Sequence, residues 1–472
     1  MRPLPPLGLL AIAVVVVVGC APEPSGPPPL LQQGGAQAAP LTVIGAAGPV
    51  PAAPTLRAVA QEGKPDLLDT HLKALAAVGG IDLVRGNSAH LLIDGPATFA
   101  SMREAIQNAR QVILLESYIF EDEGIAAEMS QLLVARAKAG VRVALLRDAV
   151  GSISTDSAFF QQLADAGVAV CSFNDLIQRD KHSGHSDTMS ITQRDHRKLL
   201  VVDERVAFTG GINISGVYGS GSASLRKKDK DDEEPGGKND PLKHGWRDTQ
   251  VRLSGPIVQS LARSFAQTWH GQSCPGALDL HALPTATEAG PRVVALVTSD
   301  PREPDNRIYQ SLMAAITASK RSVQLTMAYF APGREMAKAL EDAAKRGVRV
   351  ELLLPGRTDF TLIMQAGRSY YDDLLKAGVH LYEIDHAVLH AKTAVVDGVW
   401  SSVGSSNMDW RSFADNNELD VVVLGDDFGT EMTAMFEHDR ASAHEITPED
   451  WKKRAFSQRF MQTLGRMLER WL

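Results

Sequence analysis

Cysteine is scarce, three in 472 residues, and no Cys-x-x-Cys pair is present. That excludes a disulfide scaffold and gives no sign of a zinc ribbon or a dithiol redox motif. A surplus of positive charge is missing as well. Against 56 acidic residues stand 48 basic ones, a net charge of -8, so nothing draws the whole chain to a polyanion such as DNA or RNA, and any phosphate must be gripped locally. No apolar run reaches the roughly 20 residues a helix needs to span a bilayer. What the chain does have is 44% hydrophobic residues, with fourteen Phe, seven Tyr and six Trp, enough to bury a core. Its length exceeds what one core usually organises, so two domains are expected.

Arg2 precedes an apolar run from Leu7 to Val18 that ends in Val17-Val18-Gly19-Cys20. The run suits the apolar region of a secretory signal, and its end resembles a bacterial lipobox, in which a peptidase cuts before a Cys that carries the lipid. Residues 1–20 are therefore expected to be a lipoprotein signal with Cys20 as the lipidated residue. Ala21, where an Asp would signal retention, implies an exported, membrane-anchored protein on the periplasmic face of the outer membrane. Residues 21–65, rich in Pro, Ala and Gly with almost no charge, read as a flexible tether. Export would permit a Cys171–Cys274 disulfide. Because nothing in the sequence brings the two together, separate buried thiols are the expectation.

The remainder is a repeat of long period. A strand-like run from Val112 to Phe120 leads to a helical stretch ending at Ala139-Gly140, and then to a strand from Val141 to Asp148. The second half answers with Val323 to Phe330, a helix ending in Lys345-Arg346-Gly347, and Val348 to Pro355. Each half is a strand, helix, strand unit with a glycine helix stop, so two similar α/β domains are expected, over residues 66–280 and 281–472. The patch from Cys274 to Pro284 is the expected boundary. Residues 219–243, Gly- and Ser-rich and then densely charged, have no counterpart in the second half and read as a solvated insertion.

His196-Arg197-Lys198-Leu199-Leu200-Val201-Val202-Asp203 is echoed by His390-Ala391-Lys392-Thr393-Ala394-Val395-Val396-Asp397, and a glycine turn follows each, carrying Asn213 and Asn407. On a strand, residues two apart face one way, so each His and its Lys are expected to project together, with the Asn amide in reach of the same oxygen. Phosphodiester transfer uses such a set. Cations and amides neutralise the nonbridging phosphate oxygens, one neutral imidazole attacks phosphorus, and the other, protonated, serves the leaving alkoxide. No metal or cofactor is called for. Each imidazole needs a carboxylate on its other nitrogen, and the candidates are Glu418 in the second half and Asp248, its analogue, in the first. Asp203 and Asp397 are expected to be structural.

With the doubled motif and its trailing acids, the chain resembles the phospholipase D superfamily. Arg194-Asp195-His196-Arg197-Lys198 and the stretch from Gly404 to Phe413 are similar to those of bacterial cardiolipin synthases. The resemblance implies two α/β domains in pseudo-twofold arrangement around one active site, a covalent phosphohistidine on His196 with His390 as the acid, a phospholipid such as phosphatidylglycerol as substrate, and work at a membrane surface. The chain departs from the family in lacking two leading transmembrane helices and in carrying the charged insertion. A phosphodiesterase or nuclease on the same scaffold is the alternative, disfavoured by the acidic charge and the expected export; a catalytically dead surface lipoprotein is disfavoured by the intact His, Lys and Asn.

His182, His185 and Asp187 suggest a metal cluster at first, but with no second ligand pair at structural spacing they read as a polar loop at the rim of the site. Trp451, Phe456, Phe460, Leu464, Met467 and Leu468 form one apolar face among basic residues. A terminal helix packed on the core is the expectation, and a helix lying on a membrane surface the competing reading.

Overall fold

A computed structural model of the chain describes residues 41–51, 65–175, 192–222, 245–276, 278, 287–303 and 305–472. Cys20, the tether but for its stretch 41–51 and residue 65, the His182/His185/Asp187 segment and most of the charged insertion lie outside the described residues. Among the described residues no helix is long and apolar enough to cross a membrane.

The first half runs β1 (Leu83–Ile93), α1 (Asp94–Gln107), β2 (Val112–Ser117), α2 (Gly124–Lys138), β3 (Arg142–Asp148), α3 (Ser157–Asp165), β4 (Ala169–Phe173), β5 (Lys198–Val202), β6 (Val206–Gly210), β7 (Thr249–Ser254) and α4 (Ile257–Gly271). The second runs β8 (Arg292–Ser299), α5 (Arg307–Ala318), β9 (Ser322–Met327), α6 (Gly333–Lys345), β10 (Arg349–Pro355), α7 (Thr361–Arg368), α8 (Tyr371–Ala377), β11 (His380–Ile384), β12 (Lys392–Val396), β13 (Trp400–Gly404), β14 (Asn416–Leu424) and α9 (Asp426–Arg440), with α10 (Phe456–Leu468) behind it.

Strand order repeats between the halves. In the first it is β1-β7-β6-β5-β2-β3-β4, in the second β8-β14-β13-β12-β9-β10-β11. Three strands of each are parallel, joined by helical crossovers. Their apolar runs are buried on both faces, Val112–Ser117 throughout, as parallel strands between helical layers require. Both crossover helices stop the same way: Gly140 (φ 86°) and Gly347 (φ 89°) take the left-handed conformation, and the next N–H, of Val141 or Val348, bonds five residues back, to Arg136 at 3.0 Å or Ala343 at 3.1 Å. Such a cap needs a residue without a Cβ penalty at positive φ.

The halves meet edge to edge where β1 and β8 pair antiparallel, with Ala295 opposite Leu83. One core cluster crosses the join, setting Phe265 and Trp269 of α4 with Phe428 and Met432 of α9.

Three expectations need correction. Strand β2 ends at Ser117 and β9 at Met327, short of the expected Phe120 and Phe330, because the chain there leaves the sheet, Phe120 and Phe330 making only isolated bridges to Ile214 and Met408. Cys171 and Cys274 are not separate thiols: they form a disulfide with Cα atoms 5.5 Å apart, since β4 and the end of α4 are neighbours in the folded half. The expected apolar face of the terminal helix α10 is buried only in part: Trp451 before it is buried, and Leu464 and Leu468 are partly so. The helix buries Gln462 and Gly465 and leaves Phe456, Phe460 and Met467 in solvent, because Gly465 lets its backbone lie close against α7. Of the insertion, Ser222 is tied down, its N–H and hydroxyl bonding Asp94.

Candidate active site

The two motif strands, β5 and β12, begin at Lys198 and Lys392; each His lies just before its strand and not on it as expected. What orients each His is a bridge of two residues to the other half. Arg194 and Asp195 pair in parallel with Asn416 and Asn417, so the next residues in register are His196 and Glu418. Val388 and Leu389 pair in parallel with Trp246 and Arg247, which sets His390 opposite Asp248. Backbone bonds fix each step, from His196 N–H to the Asn417 carbonyl at 3.0 Å and from His390 N–H to the Arg247 carbonyl at 2.8 Å.

The carboxylates therefore serve the histidine of the opposite half. His196 Nδ1 lies 3.0 Å from both oxygens of Glu418, and His390 Nδ1 lies 2.8 Å from Asp248 Oδ2. With Nδ1 held as donor, Nε2 of His196 is the free imidazole nitrogen, whereas the Lys392 ammonium lies 3.0 and 3.1 Å from the two ring nitrogens of His390. Both histidines line one cleft of about 340 Å³, together with Asn213 and Asn407. Lys198 and Lys392 lie behind them, buried, each ammonium bonding the carbonyl of its own motif histidine. The eight expected residues are thus brought together. Asn213 makes two contacts of its own, accepting from Ile119 N–H at 3.1 Å and donating to the Tyr218 hydroxyl at 3.2 Å, whereas Asn407 Oδ1 is buried without a hydrogen-bond partner among the described residues.

The two acids differ, and the glycine turns explain why. Beside Glu418, Ser405 donates at 2.5 Å and Ser412 at 2.9 Å, with Asn416 at 3.3 Å. At the position matching Ser405 stands Gly211, where a Cβ would fall 2.1 Å from Asp248 Oδ1; the acid fills the place of a side chain and has no hydroxyl donor there. Burial pushes the Glu418 carboxyl up, but His196, Lys198 and Ser405 outweigh it and hold the group below the ordinary range. Burial dominates at Asp248 and carries it up to about 7 against the pull of Lys392. The cations suffer the same dry surroundings: Lys198 comes down to about 7 and Lys392 to about 8, both through burial. Burial also depresses both imidazoles, His196 against the opposing pull of Glu418, and His390 further because Lys392 and Lys198 crowd it. Loss of water, together with like charge, has this effect on cationic acids.

Asp203 and Asp397 stay out of the cleft. Asp203 accepts the N–H groups of Arg110, Gln111 and Val112 at 2.7–2.9 Å, tying down the start of β2. Asp397 does the same for Lys320, Arg321 and Ser322 at the start of β9 and also bonds buried His71 at 3.0 Å. The aspartate that closes each motif is a strand anchor.

Sequence reasoning missed several cleft residues. Tyr118 and Tyr329 stand at matching places just past β2 and β9, a repeat signal that aligning the halves would have found; the rings lie 5.0 Å from His196 and 6.2 Å from His390. Tyr218 and Trp246 pack on His390. Arg194, Arg411, Asp359 and Asp409 also line the cleft. Arg411 opens a short π-helical turn over Arg411–Asp415 and makes no side-chain hydrogen bond or ion pair among the described residues. Such turns are frequent at functional sites.

The chain matches the family model described as "Cardiolipin synthase, PLD-like domain" over residues 102–218 and 312–440. It is 32% identical over 397 residues to cardiolipin synthase A of Pseudomonas putida (strain W619), covering 84% of this chain and 78% of the relative. To cardiolipin synthase A of Pseudomonas aeruginosa (strain LESB58) it is 33% identical over 401 residues, 84% of this chain and 75% of the relative. In fold it is similar to the crystal structure of phosphatidylserine synthase from Haemophilus influenzae Rd KW20, with a TM-score of 0.60 at 12% identity, covering 85% of this chain and 100% of that one.

Proposed function

The chain belongs to the phospholipase D-like cardiolipin synthase family, and from that premise we propose that it is a phospholipid phosphatidyltransferase working through a phosphohistidine on His196. The observation that carries this reading is the crossed pair of histidine–carboxylate contacts opening on one cleft.

His196 is the nucleophile because its acid is the one kept ionised by several donors, which leaves Nδ1 as donor and Nε2 with a free lone pair. Nε2 attacks phosphorus, the bond from phosphorus to the leaving glycerol oxygen breaks, and His390, protonated once the anion is bound, gives its Nε2 proton to that oxygen. In the second half-reaction neutral His390 takes the proton of the acceptor hydroxyl, the acceptor oxygen attacks phosphorus, and His196 leaves. Lys198, Lys392, Asn213 and Asn407 hold the nonbridging oxygens, where charge grows in the transition state. Arg411, a guanidinium in the cleft wall that makes no ion pair among the described residues and feels the charges of Asp409 and Asp415, suits a second phosphate and so favours a phospholipid acceptor such as phosphatidylglycerol over water. A phosphodiesterase of another substrate would use the same atoms but has no need of that second cation.

Export belongs to the same proposal: Cys20 carries the lipid, the mature enzyme stands on its tether at the periplasmic face of the outer membrane, and residues 66–280 and 281–472 are its two domains. The test is to incubate the purified protein with labelled phosphatidylglycerol, identify every product, and map the adduct. An acid-labile, base-stable phosphoryl group on His196 alone is expected, and cardiolipin with glycerol as products. An adduct on His390, or phosphatidic acid as the sole lipid product, would overturn the respective half of the proposal. Residues 1–19 still attached in the purified wild-type protein would end the lipoprotein reading.

A further inference from the structure

Helix α10 turns its aromatic residues outward. Of six large apolar side chains left exposed among the described residues, four are on it: Phe456 at 83%, Phe460 at 60%, Met467 at 75% and Met461. Phe456, Phe460 and Met467 lie on one stripe, four and then seven residues apart. Gln462 and Gly465 are buried on the inward face, and Leu464 and Leu468 are partly buried. Gln462 accepts from Arg454 at 3.0 Å, and a Cβ on Gly465 would come 2.6 Å from the backbone of Ala366 in α7. An unfinished core would have hidden the aromatic stripe and shown the glutamine, so the orientation is set by close backbone packing against α7.

Charge follows the same direction. Between Trp451 and Leu472 there are six basic residues and one acid, in a chain that is net -8. The acid, Glu469, faces inward, bonded by Gly333 N–H at 2.8 Å and the Tyr370 hydroxyl at 2.5 Å. What faces out is therefore apolar and cationic. The surface is continuous with the catalytic cleft: Leu472 lines the cleft beside Phe360 and Ile363 and packs with Leu468 of α10.

We propose that α10 and its basic flank, with Lys452, Arg459 and Arg470, are the seat on which the enzyme rests on an anionic phospholipid surface, the mouth of the cleft turned to the headgroups. The inference rests on the reading of the substrate as a phospholipid. From Trp451 to Leu472 the exposed side is a stripe of aromatic and thioether groups with cations and no outward acid, Glu449 and Asp450 standing just before it, which is what an interfacial helix presents to acyl chains and anionic headgroups. Seated so, the enzyme draws a lipid's phosphate into the cleft while the acyl chains stay in the bilayer.

The test uses the full chain reconstituted into vesicles of phosphatidylglycerol or of phosphatidylcholine. Hydroxyl-radical footprinting should find Phe456, Phe460 and Met467 protected several-fold in phosphatidylglycerol and less in phosphatidylcholine. The triple variant Phe456→Ser, Phe460→Ser, Met467→Ser alters only exposed positions; it should lose tenfold or more of its turnover on bilayer phosphatidylglycerol and keep its turnover on a monomeric short-chain phosphatidylglycerol. Equal oxidation in both vesicles, or undiminished bilayer turnover in the variant, would overturn the proposal. Protection that rises with protein concentration at fixed lipid would assign the stripe to a second copy of the chain and overturn it as well. If the wild-type protein turns over neither form of the lipid, the functional reading fails, while the footprint still reports the seat.

Discussion

At the scale of single residues the two histidines are alike in sequence and unlike in surroundings. A serine at position 405 and a glycine at 211 give Glu418 a hydroxyl donor that Asp248 lacks. Glu418→Gln and Asp248→Asn should each cut turnover by roughly two to four orders of magnitude, because the imidazole loses the group that fixes its tautomer and orientation. The two deficits should differ in pH dependence. Asp248 sits up to about 7, so below that pH the wild-type carboxyl is itself protonated and Asn removes little charge. The ratio of wild-type to Asp248→Asn turnover should therefore grow as pH rises through 7, whereas that for Glu418→Gln, whose carboxyl is held below the ordinary range, should be flat across the same window. Parallel pH profiles for the two variants would show that the donors do not set the difference.

At the scale of elements, the motif aspartates are stitches between strands. Replacing Asp397 by Asn leaves the left-handed backbone tolerable at φ 56° but weakens charge-assisted bonds to the start of β9, and should cost about 1.5–3 kcal/mol of stability. Turnover per folded molecule should stay at the wild-type level; denaturant unfolding beside active-site titration checks both. The Cys171–Cys274 bond closes a loop of 103 residues in sequence separation, and Cys274→Ser should lower stability by about 2–5 kcal/mol. The repeat, the strand–helix–strand units and all eight site residues were legible in the sequence because they rest on local periodicity and short spacings. The disulfide was not, since its partners are adjacent only after β4 and α4 have packed. Nor was the crossing of Glu418 to His196 and Asp248 to His390, which depends on two bridges of two residues each, too short to leave a pattern. The outward turn of α10 escaped for a third reason: an apolar stripe shows in sequence, but the direction it faces is decided by a single close approach at Gly465.

For the whole molecule, the site is a store of buried charge whose protons shift on unfolding. Asp248, Asp409 and Asp420 all rise to about 7 through burial, while an unfolded Asp titrates near 3.9. From about pH 4 to 7 the folded chain holds protons that the unfolded chain has released, so these three groups make unfolding easier as pH rises. Lys198 and Lys392 act oppositely above about 7 and 8, where the unfolded chain still carries the protons that the fold has lost. Asp420 is the cleanest probe, since its carboxyl is held by Ser402 and the Ser406 N–H rather than by a histidine. Asp420→Asn should flatten the fall in stability between about pH 4 and 7 by about 1.4 kcal/mol per pH unit, read from denaturant midpoints; an unchanged slope would mean that Asp420 ionises normally in the fold. The crossed acids carry a consequence of symmetry as well. A pair in which each member completes the other is the contact geometry of an isologous dimer, so neither half holds a whole histidine–carboxylate pair by itself, and either half alone should lack both. Because the two halves are one chain, the arms need not be identical: one carries a serine beside a charged acid, the other a glycine beside an acid that burial holds up.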